Sequence, residues 1–333
     1  MPQTRRSVLS GAAAASILPL LPVRAQGAGW DAVAARARAL EQLHAMVVLR
    51  DGAEVVAMAP RGPGLDRIAN VKSVSKTLLA LMTGVAIERG HLPGPDARVL
   101  PLLGRPATGD ARDDLTVGHL LSMQTGLAST SGPNYGAWVS SRDWVDYVLD
   151  ADPAGRPGGR FIYSTGGWHV LGAVLARATG RDLHALARDW LARPLGIEIP
   201  RWDRDPQGLY LGGNQMGLTP RGLVRVAEMV RRGGVWNGTA VVPRDWIATS
   251  WIRRARSPWS GDGYGYGWFL TRLAGRDAYY GRGYGGQVMA VVPDLALSLA
   301  ITSDPNRPAR SDGHFGDLAQ LMDDAARVAA GTG

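Results

Sequence analysis

Ser73-Val74-Ser75-Lys76 places a serine three residues ahead of a lysine. A serine hydroxyl is a weak nucleophile at its free pKa and needs a base beside it. Residues i and i+3 share one face of a helix, so an amine at 76 can reach a hydroxyl at 73 if the segment is helical. A helix N-terminus also offers backbone N–H groups and a positive dipole end to a developing oxyanion. The pattern fits nucleophilic acyl transfer.

The lysine carries more information than the serine. Of 37 basic residues, two are lysine, Lys72 and Lys76. Arginine keeps its proton in any protein setting, whereas a buried lysine can release it. A chain that uses arginine wherever a fixed charge suffices keeps Lys76 for proton chemistry, while Lys72 reads as a solvated charge closing a loop. The spacing alone is weak. With 17 serines and two lysines, it arises by chance in about one chain in ten.

Residue types exclude several other chemistries. There are no cysteines, hence no disulfides, thiolate catalysis or Cys-ligated metals. The histidines are His44, His91, His119, His169, His184 and His314, and they form no H-E-x-x-H or other close metal pair. His119 and His169 fall in helical patterns and read as packed or capping residues. No G-x-S-x-G elbow and no phosphate-binding loop is present. The formal charge is +8, of which Arg5, Arg6 and Arg24 supply three. The other arginines interleave with Asp and Glu, a solvated basic surface rather than a nucleic-acid face.

The elements that must hold Ser73 and Lys76 follow from periodicity. Residues 29–42 read as an amphipathic helix, and 45–49 with 54–57 as a hairpin around Asp51-Gly52. Val74, Leu78, Leu81, Met82 and Val85 recur at three and four, predicting a helix over 73–89 that stops at Gly90. Helical patches follow at 115–122, 144–149, 168–179, 183–191 and 220–232. Strands are expected at 264–273, 277–280, 287–292 and 295–303, in an antiparallel meander, and a closing helix at 314–330. The fold class is therefore α/β (α+β), an antiparallel sheet flanked by helices and formed from both chain ends. The sheet domain is assigned to 26–90 and 258–333, and a mainly helical inserted domain to 91–257.

Residues 1–25 combine Arg5-Arg6, an apolar stretch and Val23-Arg24-Ala25. They read as a twin-arginine signal peptide cleaved after Ala25, which predicts a periplasmic protein. Pro19 and Pro22 argue against a spanning helix, and no stable membrane insertion is expected after cleavage.

Four segments resemble the serine β-lactamase and penicillin-binding superfamily. Within it they are most similar to class C β-lactamase-related esterases and amidases of the 6-aminohexanoate-dimer hydrolase type. They are Asn70 to Lys76, Leu115 to Leu127, the Pro157-Gly-Gly-Arg-Phe-Ile-Tyr163-Ser-Thr165 run, and Tyr264 to Trp268 together with Gly283 to Gln287. The resemblance implies a cleft between the sheet and the helical domain, and a small ester or amide substrate without cofactor or metal. It implies that Ser73 is acylated, that Lys76 activates it, and that Tyr163 shares their proton and protonates the leaving group. A phenol in that role is expected to be lowered by the neighbouring ammonium.

The chain departs from the family in two places. Thr165 stands where the family has asparagine, losing an amide that both donates and accepts. The Lys-Thr-Gly strand motif is absent, replaced by Tyr280-Gly281-Arg282-Gly283-Tyr284-Gly285-Gly286-Gln287. Arg282 either replaces the lysine's charge at a substrate carboxylate or is a surface arginine. The glycines let a strand approach the substrate closely. A backbone N–H near Gly286 or Gln287, with that of Ser73, is expected to form the oxyanion hole. Tyr135, Trp202, Asp203 and Asn134 lie in loops that could line the cleft, although surface packing is the simpler role for each. Both departures point from β-lactams toward esters and amides. The alternatives are a true β-lactamase or D-peptidase and, in another class, a non-catalytic binding protein that retains the fold.

Overall fold

The computed structural model describes residues 27–332, so the segment read as a signal peptide lies outside it. The first stretch runs α1 (Ala28–Ala39), β1 (Leu43–Arg50), β2 (Ala53–Met58), β3 (Ala69–Asn70) and α2 (Val74–Glu88). Helices then dominate: α3 (Val99–Leu102), α4 (Val117–Leu121), α5 (Tyr135–Val139), α6 (Trp144–Leu149), α7 (Thr165–Thr179), α8 (Leu183–Ala187) and α9 (Arg193–Leu195). After β4 (Gly217–Leu218) come α10 (Pro220–Arg231), β5 (Val235–Trp236), β6 (Thr239–Ala240) and α11 (Arg244–Ser250). The chain ends with β7 (Ala255–Arg256), β8 (Gly263–Tyr264), β9 (Phe269–Leu273), β10 (Arg276–Gly283), β11 (Gln287–Val292), β12 (Leu297–Ser303) and α12 (His314–Ala330).

Eight strands form one antiparallel sheet in the order β2-β1-β12-β11-β10-β9-β8-β7. The two ends of the chain meet where β12 lies between β1 and β11, with Ala300 opposite both Val47 and Met289. Every residue of β11 and β12 is buried, because helices cover both faces and no side has to be polar. On one face, α10 lies along β12, β11 and β1, and α2 crosses β10 and β11. On the other, α12 carries Phe315 against Tyr280 and Arg282.

Helix α2 is buried from Val74 through Ala86, on every side rather than along one stripe. It fills the seam between the sheet and the helical layer, and its N-terminus opens into a cleft.

Two elements differ from the periodicity, and two others lie in a different layer from the domain ranges. The segment expected as one strand over 264–273 is split into β8 and β9. Between them Gly267 takes φ +77°, its N–H donates to Leu121 O, and its carbonyl accepts from Thr77 Oγ1. The Tyr266 N–H donates to Ser250 O. The backbone there leaves the ladder to join α2 to the helical layer, a partnership that alternation cannot reveal. The helix over 183–191 is α8 running into a π-helical turn at Arg188–Ala192. Finally, α10 and β7 belong by contact to the sheet layer, although both lie within 91–257. Among the described residues no helix is long and apolar enough to cross a membrane.

Candidate active site

Asn70 begins the turn that presents Ser73. Its Oδ1 accepts the Lys72 N–H at 2.8 Å, and Lys72 takes a left-handed φ of +50°. Ser73 is the N-cap of α2 but makes no capping hydrogen bond with its side chain, so Oγ is not tied to the helix backbone. One turn on, Lys76 Nζ lies 2.9 Å from Ser73 Oγ. Lys76 is only 2% exposed, and its other partners are Gly213 O at 2.8 Å and Thr165 Oγ1 at 3.2 Å. Burial without a carboxylate partner holds its pKa well below the usual 10.5.

Tyr163 comes from the strand-like run before α7, which is tied to residues 129–131. Ser129 Oγ donates to Tyr163 O at 2.6 Å, Thr130 Oγ1 meets Ser164 Oγ at 2.9 Å, and Ser131 Oγ meets Thr165 Oγ1 at 2.9 Å. Ser164 then caps α7 by accepting the Gly167 N–H. The Lys76 ammonium position is 5.1 Å from the centre of the Tyr163 ring. Burial pushes the Tyr163 phenol up, against weaker downward pulls from the Ser73 hydroxyl and the Arg282 charge. This reverses the expectation of a lowered phenol: Lys76 is the group whose proton is loosened, and Tyr163 holds its own.

Glycines bring the sheet to this point. A Cβ on Gly281 would lie 2.4 Å from Thr77 Oγ1, and one on Gly283 would lie 2.4 Å from Val71 O. Strand β10 therefore rests directly on the nucleophile turn, whereas its glycines were expected to bring it close to the substrate.

Ser73, Tyr163, Thr165, Tyr135 and Arg282 line one cleft of about 540 Å³ between the sheet and the helical layer. Gly286 and Gln287 do not reach it. A Cβ on Gly286 would lie 2.8 Å from the His314 ring, and Gln287 is fully buried, its side chain clamping the Ser303 backbone at both N–H and carbonyl. Within the Gly283–Gln287 run, the residues at the cleft are Gly283 and Tyr284 instead. The β10–β11 ladder ends at the pair Gly283–Gln287, which leaves the Tyr284 N–H outside it. The hairpin turn after Gly283 shifts the approach by three residues, a displacement that composition cannot register.

Trp202 is also elsewhere. It packs on Tyr210 with ring centres 4.6 Å apart and donates to Leu211 O. Asn134 donates to Ser129 O and Asp203 accepts from Gln215, so both support cleft loops without lining the cleft. The reading of Lys72 as a solvated charge fails: it is half-buried in the cleft wall and donates to Gln215 Oε1 at 3.2 Å. Ser131, Asn214, Gln215, Trp259 and Tyr284 were not singled out from the sequence. Only Tyr284 carried a signal, inside the Gly-Tyr-Gly-Gly run. Arg282 reaches the cleft while its guanidinium stacks 3.5 Å from the Phe315 ring centre and donates to Ala309 O and Ser311 Oγ.

His119 and His169 are structural, as expected. His119 closes a capping box with Thr116, and His169 sits buried against Asp205 at 3.0 Å. Among the described residues no cluster of acids and histidines could hold a metal ion.

The chain is similar to several known proteins. Penicillin-binding protein 4 of Amycolatopsis lactamdurans is 26% identical over 291 residues, 73% of this chain and 75% of its own length. The 6-aminohexanoate-dimer hydrolase of Paenarthrobacter ureafaciens is 28% identical over 260 residues, 70% of this chain and 65% of its own length. Among solved structures, EstCE1, a hydrolase with promiscuous acyltransferase activity, superposes with a TM-score of 0.71 at 19% identity, covering 90% of this chain and 98% of its own. The Beta-lactamase family model matches residues 36–321. With that span of the chain covered, from the end of α1 to the middle of α12, this protein belongs to the beta-lactamase family of hydrolases.

Proposed function

We propose that this hydrolase acts by acyl transfer on a small ester or amide, with Ser73 acylated, Lys76 its base and Tyr163 the acid serving the leaving group. One observation carries the reading: a buried Lys76 Nζ, 2.9 Å from Ser73 Oγ, whose other partners are neutral oxygens. A neutral amine has two N–H donors and one lone pair. Gly213 O and Thr165 Oγ1 take the donors, which leaves the lone pair for the Ser73 proton.

In the proposed sequence Lys76 takes that proton as Ser73 Oγ bonds to the substrate carbonyl carbon and the carbonyl pair moves onto oxygen. The Ser73 N–H and the Tyr284 N–H are the proposed donors to this oxyanion. As the intermediate collapses, Tyr163 protonates the departing oxygen or nitrogen and regains a proton from the Lys76 ammonium. Water then attacks the acyl-enzyme and passes a proton to Lys76, which returns it to Ser73 as that bond breaks. Esters and simple amides are favoured over β-lactams because Thr165 Oγ1 is engaged by Lys76 and Ser131 and has no amide to offer a substrate. The names of the 6-aminohexanoate-dimer hydrolase and of EstCE1, a hydrolase with acyltransferase activity, support the same class of chemistry.

A fluorophosphonate probe should add mass to the Ser73 peptide of wild type and not to Ser73→Ala. Lys76→Ala should lower p-nitrophenyl butyrate turnover by ~10²–10⁴-fold. An unlabelled Ser73, or turnover unchanged in Lys76→Ala, rejects the proposal. Nitrocefin turnover matching ester turnover would instead favour a β-lactamase. We also propose export to the periplasm. Replacing Arg5 and Arg6 with lysine should then leave precursor in the cytoplasmic fraction.

A further inference from the structure

The cleft wall holds two cations, Lys72 and Arg282, and no carboxylate. They are not equivalent. The Arg282 guanidinium is engaged by Ala309 O, Ser311 Oγ and the Phe315 ring. Lys72 Nζ donates to one neutral acceptor, Gln215 Oε1 at 3.2 Å, and the acid whose charge reaches it, Asp203, is solvent-exposed and hydrogen-bonded to Gln215. An ammonium has three donors, so Lys72 has capacity left.

The backbone supplies an independent reason to look here. Lys72 at φ +50° occupies the left-handed region, where a side chain strains the chain and glycine does not. Gln215, which receives its ammonium, is also left-handed at φ +67°. Two strained residues from separate segments face one another, held by Asn70 and Asp203. Asn70 Nδ2 donates to Gln215 Oε1 at 2.8 Å, and Gln215 Nε2 donates to Asp203 at 3.1 Å. Strain retained beside a nucleophile marks a constraint on what the side chain must reach. Apolar surface from Phe269 and Trp259 lines the same cleft, suited to a hydrocarbon spacer.

We infer that Lys72 binds a substrate carboxylate, so that the preferred substrates are esters or amides carrying a carboxylate on a short apolar chain. The inference rests on the hydrolase reading for its turnover test and not for its binding test.

Turnover is compared on mono-p-nitrophenyl adipate and p-nitrophenyl hexanoate, which differ in one carboxylate. Wild type should show higher kcat/KM on the adipate ester. Lys72→Met should cut the adipate-to-hexanoate ratio by at least about tenfold, and Lys72→Arg should largely keep it. Lys72→Gly, free of strain at φ +50°, should melt above wild type yet lose the ratio as Met does. For binding, calorimetry with adipate is run on Ser73→Ala and on Ser73→Ala/Lys72→Met, where at least about tenfold weaker binding in the double variant is expected. If neither ester is turned over and Ser73 stays unlabelled, the hydrolase reading falls, while Lys72-dependent adipate binding still supports the inference. An unchanged ratio in both the Met and Gly variants, or equal or absent adipate binding in the two Ser73→Ala proteins, overturns it.

Discussion

At the scale of single residues, the pair that matters is a loosened amine beside a tightened phenol. Lys76 is lowered by burial and Tyr163 is raised by burial, which opens a pH window between them in which both are neutral. The base form of Lys76 exists above its lowered pKa. Activity should therefore rise with pH through a value well below 10.5 and hold level until the raised phenol ionises. A pH profile of kcat/KM on p-nitrophenyl butyrate checks this, and a rising limb at the ordinary lysine value would contradict it. Thr165→Val keeps the shape of the side chain but takes away one of the two acceptors for the Lys76 N–H groups. The expected result is a kcat loss of about tenfold and a stability loss of about 1 kcal/mol, read from initial rates and a urea titration.

At the scale of elements, the site depends on how near β10 comes to the start of α2. Gly281→Ala would put a methyl 2.4 Å from Thr77 Oγ1, the hydroxyl that holds Gly267 O. The expected cost is about 1–3 kcal/mol of stability, as for other overpacked sites. Gly283→Ala meets a backbone atom, Val71 O, which cannot swing away. The strand must withdraw, carrying the Tyr284 N–H with it, so kcat should fall more than KM rises. Equal kcat in Gly283→Ala and wild type would show that the strand does not serve the reaction. The surface ion pairs of the helical layer, such as Arg112 with Asp110 and Asp150, are exposed and contribute little by comparison.

At the scale of the whole molecule, the sheet ties the first described residues to the last. Strand β12 is paired on both sides, with β1 and with β11. Deleting residues 297–333 should therefore yield no soluble folded protein, whereas trimming 332–333 should be neutral, as thermal melts of the two truncations would report. Helix α10, which lies on β12, β11 and β1, couples the helical stretch to the sheet. Tryptophan fluorescence and far-UV circular dichroism should then lose signal at the same temperature. Two separated transitions would mean that the sheet and the helical layer unfold as separate units.

The one-dimensional pattern was enough for features that rest on local physics. The 3.6-residue period placed α2, α7, α10 and α12 within a few residues, and the buried runs at the C-terminal end placed β11 and β12. Lysine scarcity singled out Lys76, because proton release is a property of residue type and burial. Only the tertiary structure decided what depends on pairing between distant segments. It split the strand at 264–273, since Gly267 bonds to Leu121 and Thr77 rather than to a neighbouring strand. It moved the strand contact with the cleft from Gly286 and Gln287 to Gly283 and Tyr284, since hairpin register fixes which side of a turn faces α2. It also turned Lys72 inward, since that direction comes from a left-handed backbone and from Gln215, 143 positions away.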